Sequence, residues 1–469
     1  MLGLAETLVC DLNALRSRQI YALVFRLCVP AIMMQIATFA MQYIDAAMVG
    51  SLGASASASV SVVFSSIWIA IGLGFAITMG FSVQIAHAIG ANDIARAKRV
   101  FREGLLICCG LASLLSVFGI YLSPHLPALL GADSEIWRDA SSYFFIYACF
   151  FPIMQLRLFS ASVLQCAGDT KTPGLLNSLL CLLDVIFNYF MIFPTHNVTI
   201  GSFSLYIPGA NLGVTGAALG TAFSEIIIAA IMFTKAFKQP NLHFNFTLEK
   251  FSKNILKNAV KISYPIAIEA VALHGTFIFT TCLVAPLGTV ALAANIFGVT
   301  LERICCFLGI GISIASTALV GQSLGARRKD LAHRFAWASV KSGILLETSV
   351  ATALYFFAPF VFACLTPDMA VQELGVKVLR IHLLVEPLFE ASVIIGGILR
   401  GAKDTLSASV ITLICKGFVL IPLALLLSKP YGLVGIWIAF CADSGTRGIL
   451  MLLRLRDEKS WMKTDAESV

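Results

Sequence analysis

The stretch Val60-Ser-Val-Val-Phe-Ser-Ser-Ile-Trp-Ile-Ala-Ile-Gly-Leu-Gly-Phe-Ala-Ile-Thr-Met-Gly-Phe-Ser-Val-Gln-Ile85 carries no formal charge. Crossing ~30 Å of hydrocarbon takes about 20 apolar residues in a helix. A spanning barrel would show ~10-residue segments alternating between apolar and polar, and this stretch does not alternate. A helix satisfies all of its backbone groups internally, so it is the remaining solution in lipid. Leu105–Leu122 reads the same way. The whole chain agrees: its 469 residues are 58% hydrophobic and 13% charged, where soluble domains carry roughly 25% charge. The class is an all-α, polytopic membrane protein.

Apolar runs set against Gly, Pro and charged breaks predict twelve spans, near 20–47, 56–86, 102–123, 141–167, 173–194, 211–237, 259–285, 290–321, 335–362, 374–400, 406–428 and 431–455. Glu6, Asp11, Arg16 and Arg18 precede the first span without a cleavage pattern, so that span is expected to be retained. The net charge of +7 sits mostly in short connections, which argues for topology rather than nucleic-acid binding. Arg96, Lys98, Arg99 and Arg102, then Lys250 to Lys261, then Arg327 to Arg334, lie on one side; only Arg138, Lys377, Arg380 and Lys429 oppose them. That bias predicts an inner or plasma membrane protein with both termini cytoplasmic.

The two halves repeat at a constant offset of 235 residues. Pro30 pairs with Pro265, Gly53 with Gly288, Gly74 with Gly309, Ala88-Ile89-Gly90-Ala91 with Ser323-Leu324-Gly325-Ala326, and Gly168-Asp169-Thr170 with Lys403-Asp404-Thr405. Later, Gly213-x-x-Gly216 matches Gly432-x-x-Gly435 at 219, so the first half holds sixteen extra residues around Thr195–Ala210. Six spans per half make the repeat parallel, about an axis along the membrane normal. The expected organisation is an N-lobe at 1–237, a cytoplasmic connection at 238–258, and a C-lobe at 259–469. Phe244, Phe246 and Phe251 give that connection either an interfacial helix or a bare linker.

Several motifs carry a family likeness. Ile44-Asp45-Ala46-Ala47-Met48-Val49-Gly50-Ser51-Leu52-Gly53, Leu319-Val320-Gly321-Gln322-Ser323-Leu324-Gly325-Ala326, Ala167-Gly168-Asp169-Thr170-Lys171-Thr172-Pro173 and Leu399-Arg400-Gly401-Ala402-Lys403-Asp404-Thr405 resemble the motifs of multidrug and toxic compound extrusion (MATE) transporters. Lys403 stands where that family has Gly. The resemblance spans nearly the whole chain. It implies twelve helices in two six-helix lobes and H⁺- or Na⁺-coupled export of amphipathic, often cationic compounds, with no organic cofactor. A lipid-linked precursor flippase of the wider superfamily is the nearest alternative; it would favour a cationic cleft and more than twelve helices. No P-loop, HExxH or nucleophile-elbow pattern occurs, which argues against ATP drive and against an enzyme. A single-chain monomer is expected.

An ionisable group in mid-membrane costs at least ~2.5–3.5 kcal/mol, so such groups mark cavities or partners. Asp45 on span one matches the family's first-span Asp, while its repeat partner is Thr280. Asp184 and Asn188 share one face of span five, with Asn177 two turns earlier. One family branch has Asn first and Asp second there; the reversed order moves the carboxylate by one turn, ~5.4 Å. Thr221 matches a span-six Thr that the family places beside these acids. Hard oxygen donors of this kind suit Na⁺, at Asp45 and Asp184 above all, and equally a shared proton. For each residue the competing reading is hydrogen-bonded packing.

The C-lobe supplies Glu269 on span seven, Glu302 on span eight, and Glu386 and Glu390 on span ten. Glu269 stands one turn off the family's span-seven acid. Arg157, Arg303 and Lys416 are expected to neutralise carboxylates within their lobes. His274 and His382 read more readily as packing residues than as coupling groups. Cys108-Cys109 and Cys305-Cys306 lie in apolar runs without metal-type spacing.

Overall fold

The computed structural model describes residues 17–200, 203–239, 242–243 and 250–462. Its first nine spans are unbroken helices: α1 Ser17–Gly50, α2 Ala54–Gly90, α3 Ile94–Leu122, α4 Trp137–Cys166, α5 Lys171–Ile192, α6 Gly213–Phe237, α7 Lys253–Val284, α8 Thr289–Gly325 and α9 Lys329–Leu365. Span ten, expected to be continuous, is bent by 56° between α10 (Met369–Leu383) and α11 (Glu386–Gly401). Pro387 lacks the N–H that would bond to Leu383 and disfavours helical geometry at Glu386, but its repeat partner Pro152 lies within the unbroken α4, so the proline permits the bend without dictating it.

The next helical run, Thr405–Arg456, has 52 residues. At 1.5 Å per residue that is about 78 Å, far beyond one crossing. Gly432 divides it, with φ 56° and ψ −133°. Span eleven is therefore α12 (Thr405–Ile414), a π turn at Cys415–Leu420 and the start of α13 (Ile421–Arg456); span twelve is the rest of α13. Twelve crossings result, and the even number puts the start of span one and the end of span twelve on one side, here called the terminal face.

The repeat is written in the corners of the backbone. Asp93 N–H bonds to the Ala88 carbonyl at 2.9 Å and Asn92 N–H to Ile89 at 3.0 Å. Arg328 and Arg327 repeat this on Ser323 and Leu324, Asp169 and Gly168 on Leu164 and Gln165, and Asp404 and Lys403 on Leu399 and Arg400. Each is a Schellman closure, which requires one left-handed residue. Those residues are Asn92 (φ 56°), Gly168 (φ 92°), Arg327 (φ 57°) and Lys403 (φ 65°). At two of the corners the following Asp takes up an N–H of the next helix: Asp93 accepts from Arg96 N–H at 3.0 Å and Asp169 from Thr172 N–H at 3.0 Å, whereas Asp404 accepts from the Ser407 hydroxyl at 2.7 Å. The Lys403 that departs from the family pattern thus keeps the backbone conformation of its glycine counterpart.

The described part of the sixteen extra residues lies in two antiparallel strands, β1 Pro194–Ile200 against β2 Phe203–Ala210, opposite the terminal face. Of the connection between halves, Phe244 and Phe246 lie outside the described residues. Phe251 is exposed just before α7 and is not helical. This segment is tied to α3, where Glu103 accepts from Ser252 N–H at 3.0 Å.

Large apolar side chains face outward around the perimeter: Phe118 is 61% exposed, Phe356 71% and Phe418 79%. Water-soluble monomers rarely expose contiguous apolar patches beyond a few hundred Å², so the perimeter is the lipid-facing surface of a multi-pass membrane protein.

A left-handed non-glycine residue costs roughly 1–2 kcal/mol, least for Asn. Arg327→Gly is therefore expected to stabilise the protein by about 1 kcal/mol and Asn92→Gly to change it little, read as unfolding midpoints in detergent. The reverse ranking would contradict the corner assignment.

Candidate functional site

In the N-lobe, α1 carries Asp45 close to its far end, where it meets α5. Asn188 and Asp184, one turn apart on α5, are fully buried, and Asp45 is half-buried. The amide nitrogen of Asn188 donates to Asp45 Oδ1 at 2.8 Å and to Asp184 Oδ2 at 3.0 Å. Ser224 on α6 approaches Asp184 Oδ1 at 3.4 Å. α5 and α6 can come this close because Gly220 has no side chain: a Cβ there would strike the Asn188 side chain. Two carboxylates, one amide and one hydroxyl thus converge, all buried except the half-buried Asp45.

Thr221 is buried, and its hydroxyl bonds to the Ala217 carbonyl at 3.1 Å. It also lines a hollow with Tyr147, Phe150, Met154 and Glu225. Asn177 lies one layer away, donating to the Met34 carbonyl at 3.0 Å and to Thr38 Oγ1 at 2.9 Å. It also accepts from Arg157 Nη1 at 3.3 Å, and Arg157 Nε pairs with Glu225 Oε2 at 2.5 Å. Asn177 therefore joins the arginine layer rather than Asp184, with which it shares a helical face.

The C-lobe gathers a different set at the bend of span ten. His382 ends α10 and Glu386 begins α11, with Nε2 and Oε2 3.2 Å apart; Glu302 on α8 lies 4.0 Å from the same nitrogen. Cys305, Glu347 and Glu386 form a second group whose ligating atoms are within 4.8 Å of one another, all three buried. Glu390 is fully buried and packs where Gly309 has no Cβ. Glu269 stands apart, accepting from Ser409 Oγ at 2.8 Å. Lys416, on the π turn, pairs with Asp443 at 2.7 Å, and Arg303 lies 5.5 Å over the ring of Phe277.

Glu347 and His382 stand in the sequence as ionisable residues within spans, candidates by that position alone, whereas Cys305 reads as a small buried hydrophobe. Only the packing of α8, α9 and α10 brings them together.

Between the lobes, close approaches lie toward the terminal face. His87 on α2 is 2.8 Å from the Gly401 carbonyl, and Gln322 on α8 donates to the Cys166 carbonyl at 2.6 Å. These contacts are repeat equivalents, since His87 and Gln322, like Cys166 and Gly401, are 235 positions apart. Gly90 and Gly325 are equivalent too; a Cβ on either would strike the other helix's backbone, at Gln322 and His87 respectively. Nearer mid-membrane, Trp68 meets His274 at 6.2 Å and Phe39 meets Phe307 at 5.4 Å between ring centres.

The MatE family model matches residues 30–190 and again 265–426, two stretches that begin 235 residues apart. The chain is 26% identical over 415 residues to the probable multidrug resistance protein NorM of Thermotoga maritima, covering 87% of this chain and 86% of that one. It is 26% identical over 452 residues to the multidrug resistance protein MdtK of Edwardsiella ictaluri, covering 93% and 96%. Among solved structures it superposes on the Vibrio cholerae MATE transporter VcmN in the bent form with a TM-score of 0.84 at 19% identity, over 95% of this chain and 99% of that one. An outward-facing multidrug resistance MATE transporter gives 0.86 at 18% identity, over 94% and 97%. The fold is that of twelve helices in two six-helix lobes.

Breaking a buried ion pair by removing one partner costs about 3–5 kcal/mol, because a charge is left stranded. Arg157→Ala should lower the unfolding midpoint accordingly, and adding Glu225→Gln should restore most of the loss. Equal destabilisation by the single and double variants would show that the pair does not act as a unit.

Proposed function

The chain belongs to the MatE family, and from that premise we propose that it is a secondary antiporter, coupled to H⁺ or Na⁺, that exports cationic or amphipathic drug-like compounds by alternating access. The observation that carries the coupling reading is Asn188, whose amide nitrogen donates to Asp45 at 2.8 Å and to Asp184 at 3.0 Å. Two carboxylates on one nitrogen, in a low-dielectric site, repel each other. One positive charge placed between them relieves that repulsion, and its departure restores it. H⁺ and Na⁺ both suit the carboxylate and hydroxyl oxygens, which are hard ligands, while the Asn188 nitrogen between them donates and does not ligate. Thr221 and Asn177 support the site, the first beside the hollow of α4 and α6, the second by fixing α1 against α5. Glu302, Glu386 and Glu390, with Glu269 at one remove, are the corresponding acids of the C-lobe.

In this reading the lobes are 1–237 and 259–469, joined by 238–258, and the protein works as a monomer with the terminal face cytoplasmic. The paired contacts of His87 and Gln322 hold the cytoplasmic side shut. A hydrogen bond contributes about 0.5–1.5 kcal/mol net, so the two together favour closure by about 1–3 kcal/mol. That is small enough for ion binding to reverse. The methionine and aromatic side chains of spans one and two, such as Met33, Met34 and Phe39, supply adaptable surface for flat hydrophobic cations.

The decisive measurement is efflux of an ethidium-type dye from vesicles under an imposed proton gradient and, separately, a sodium gradient. Asp45→Asn and Asp184→Asn should each abolish gradient-driven efflux while leaving folding intact. Asp184→Asn with Asn188→Asp should recover part of it, since one acid and one amide remain on the same stripe. Normal transport by both single variants under either gradient would remove the N-lobe site from the mechanism.

A second expectation concerns the closed face. In a cysteine-free background, His87→Ala with Gln322→Ala should lower the reactivity of a cysteine at Gln42 or Phe277 toward an impermeant external thiol reagent. The latch then no longer favours the outward-open arrangement. Unchanged labelling would detach these contacts from gating.

A further inference from the structure

On the terminal face of the C-lobe, α9 and the end of α13 border an open groove of about 460 Å³ lined by His333, Trp337, Lys341, Arg456 and Glu458. His333, Trp337 and Lys341 stand four residues apart and form one stripe along α9. The position of Lys341 along that helix is what calls for explanation. α9 has 37 residues, about 55 Å of helix against ~30 Å of hydrocarbon. If it overhangs both boundaries equally, the hydrocarbon begins about 12 Å beyond Lys329. Lys341 is rooted about 18 Å along, on the order of 5 Å inside that boundary.

Its side chain is exposed, and neither Lys341 nor Arg456 has a carboxylate within ion-pair distance among the described residues. Glu458, the one acid of the groove, lies 2.8 Å from His333 Nδ1. Side chains on a helix lean toward its N-terminus, here the terminal face, so the Lys341 ammonium snorkels up to the headgroup level. Arg456, at the C-terminal end of α13, lines the same groove. Trp337 is half-buried between the two levels, with its ring centre 6.4 Å from that of His333.

We propose that this groove binds the headgroup of an anionic phospholipid from the leaflet on the terminal face. Lys341 and Arg456 take the phosphate, and Trp337 lies along the glycerol and first methylenes. Basic grooves between spans at this level bind anionic headgroups, and Trp favours the same interfacial depth. A soluble anion is a poor occupant, because the lysine is rooted in hydrocarbon where only an anchored ligand is concentrated. The proposal does not depend on what the protein transports or on which ion drives it.

The test uses the full-length protein in phosphatidylcholine vesicles containing a minor fraction of either dibrominated phosphatidylglycerol or dibrominated phosphatidylcholine. Bromine quenches tryptophan only at contact, and subtracting Trp337→Phe isolates the Trp337 signal. Each cation near the surface favours anionic lipid by a factor of roughly five. Half-quenching of Trp337 should therefore need at least about tenfold less phosphatidylglycerol than phosphatidylcholine. Lys341→Gln with Arg456→Gln should equalise the two lipids, and Lys341→Arg, which keeps charge and fold, should preserve the preference. Equal quenching in the unaltered protein would overturn the proposal. So would a preference that survives in the double variant, or one that added inorganic phosphate erases, which would assign the groove to a soluble anion.

Discussion

A bare charge in hydrocarbon is expensive, and much of this structure is arranged around that fact. Helices supply backbone satisfaction without help from sequence detail, so the architecture tolerates wide variation in apolar side chains. It does not tolerate a stranded ion. Arg157 meets Glu225 and Lys416 meets Asp443 inside their lobes, and Arg303 rests on an aromatic face. The groups left over after this pairing are mostly acids, gathered in one cluster per lobe: Asp45 with Asp184 around Asn188, and Glu302, Glu347 and Glu386 around His382 and Cys305. A protein that only needed to fold would have little reason to keep unpaired carboxylates together at such depth.

The two clusters are unlike, although the lobes repeat. Asp45 has Thr280 as its repeat partner, and Asp184 and Asn188 have Val419 and Leu423. The N-lobe gathers its cluster from two carboxylates, an amide and a hydroxyl on α1, α5 and α6. The C-lobe builds one from acids, an imidazole and a thiol on α8, α9 and the bent span ten. Equivalent helices thus carry inequivalent chemistry, and the pseudo-symmetry of the scaffold says nothing by itself about where ions go.

What could be read in the sequence followed from patterns with a fixed period or offset. Uncharged runs gave the spans, and the offset of 235 gave the parallel repeat, which then reappeared in the caps, in the positive-φ corners and in the His87 and Gln322 contacts. The bend of span ten escaped because a proline inside an apolar stretch does not by itself break a helix: Pro152, the repeat partner of Pro387, lies within the unbroken α4. The extra residues near Thr195 were located by counting, yet their hairpin was not anticipated. Asn177 shows the limit of face arguments: helical spacing put it on the stripe of Asp184, while Thr38 and the Met34 carbonyl drew its amide toward α1. Glu347 and Cys305 required knowledge of which helices touch, and that information is not local.

The four Schellman corners carry a consequence for how such a protein diverges after duplication. Asn92, Gly168, Arg327 and Lys403 share a backbone conformation and almost nothing else. At these turns the geometry is held by main-chain atoms, so the direction in which one helix hands over to the next is insulated from the side chains it carries. A duplicated half inherits the corners as a chassis and can exchange its cargo of polar groups, losing an acid here and acquiring an imidazole there, while the corners themselves keep their geometry. Chemical specialisation of two twin halves then needs no architectural novelty, only drift on faces that the corners keep pointed at each other.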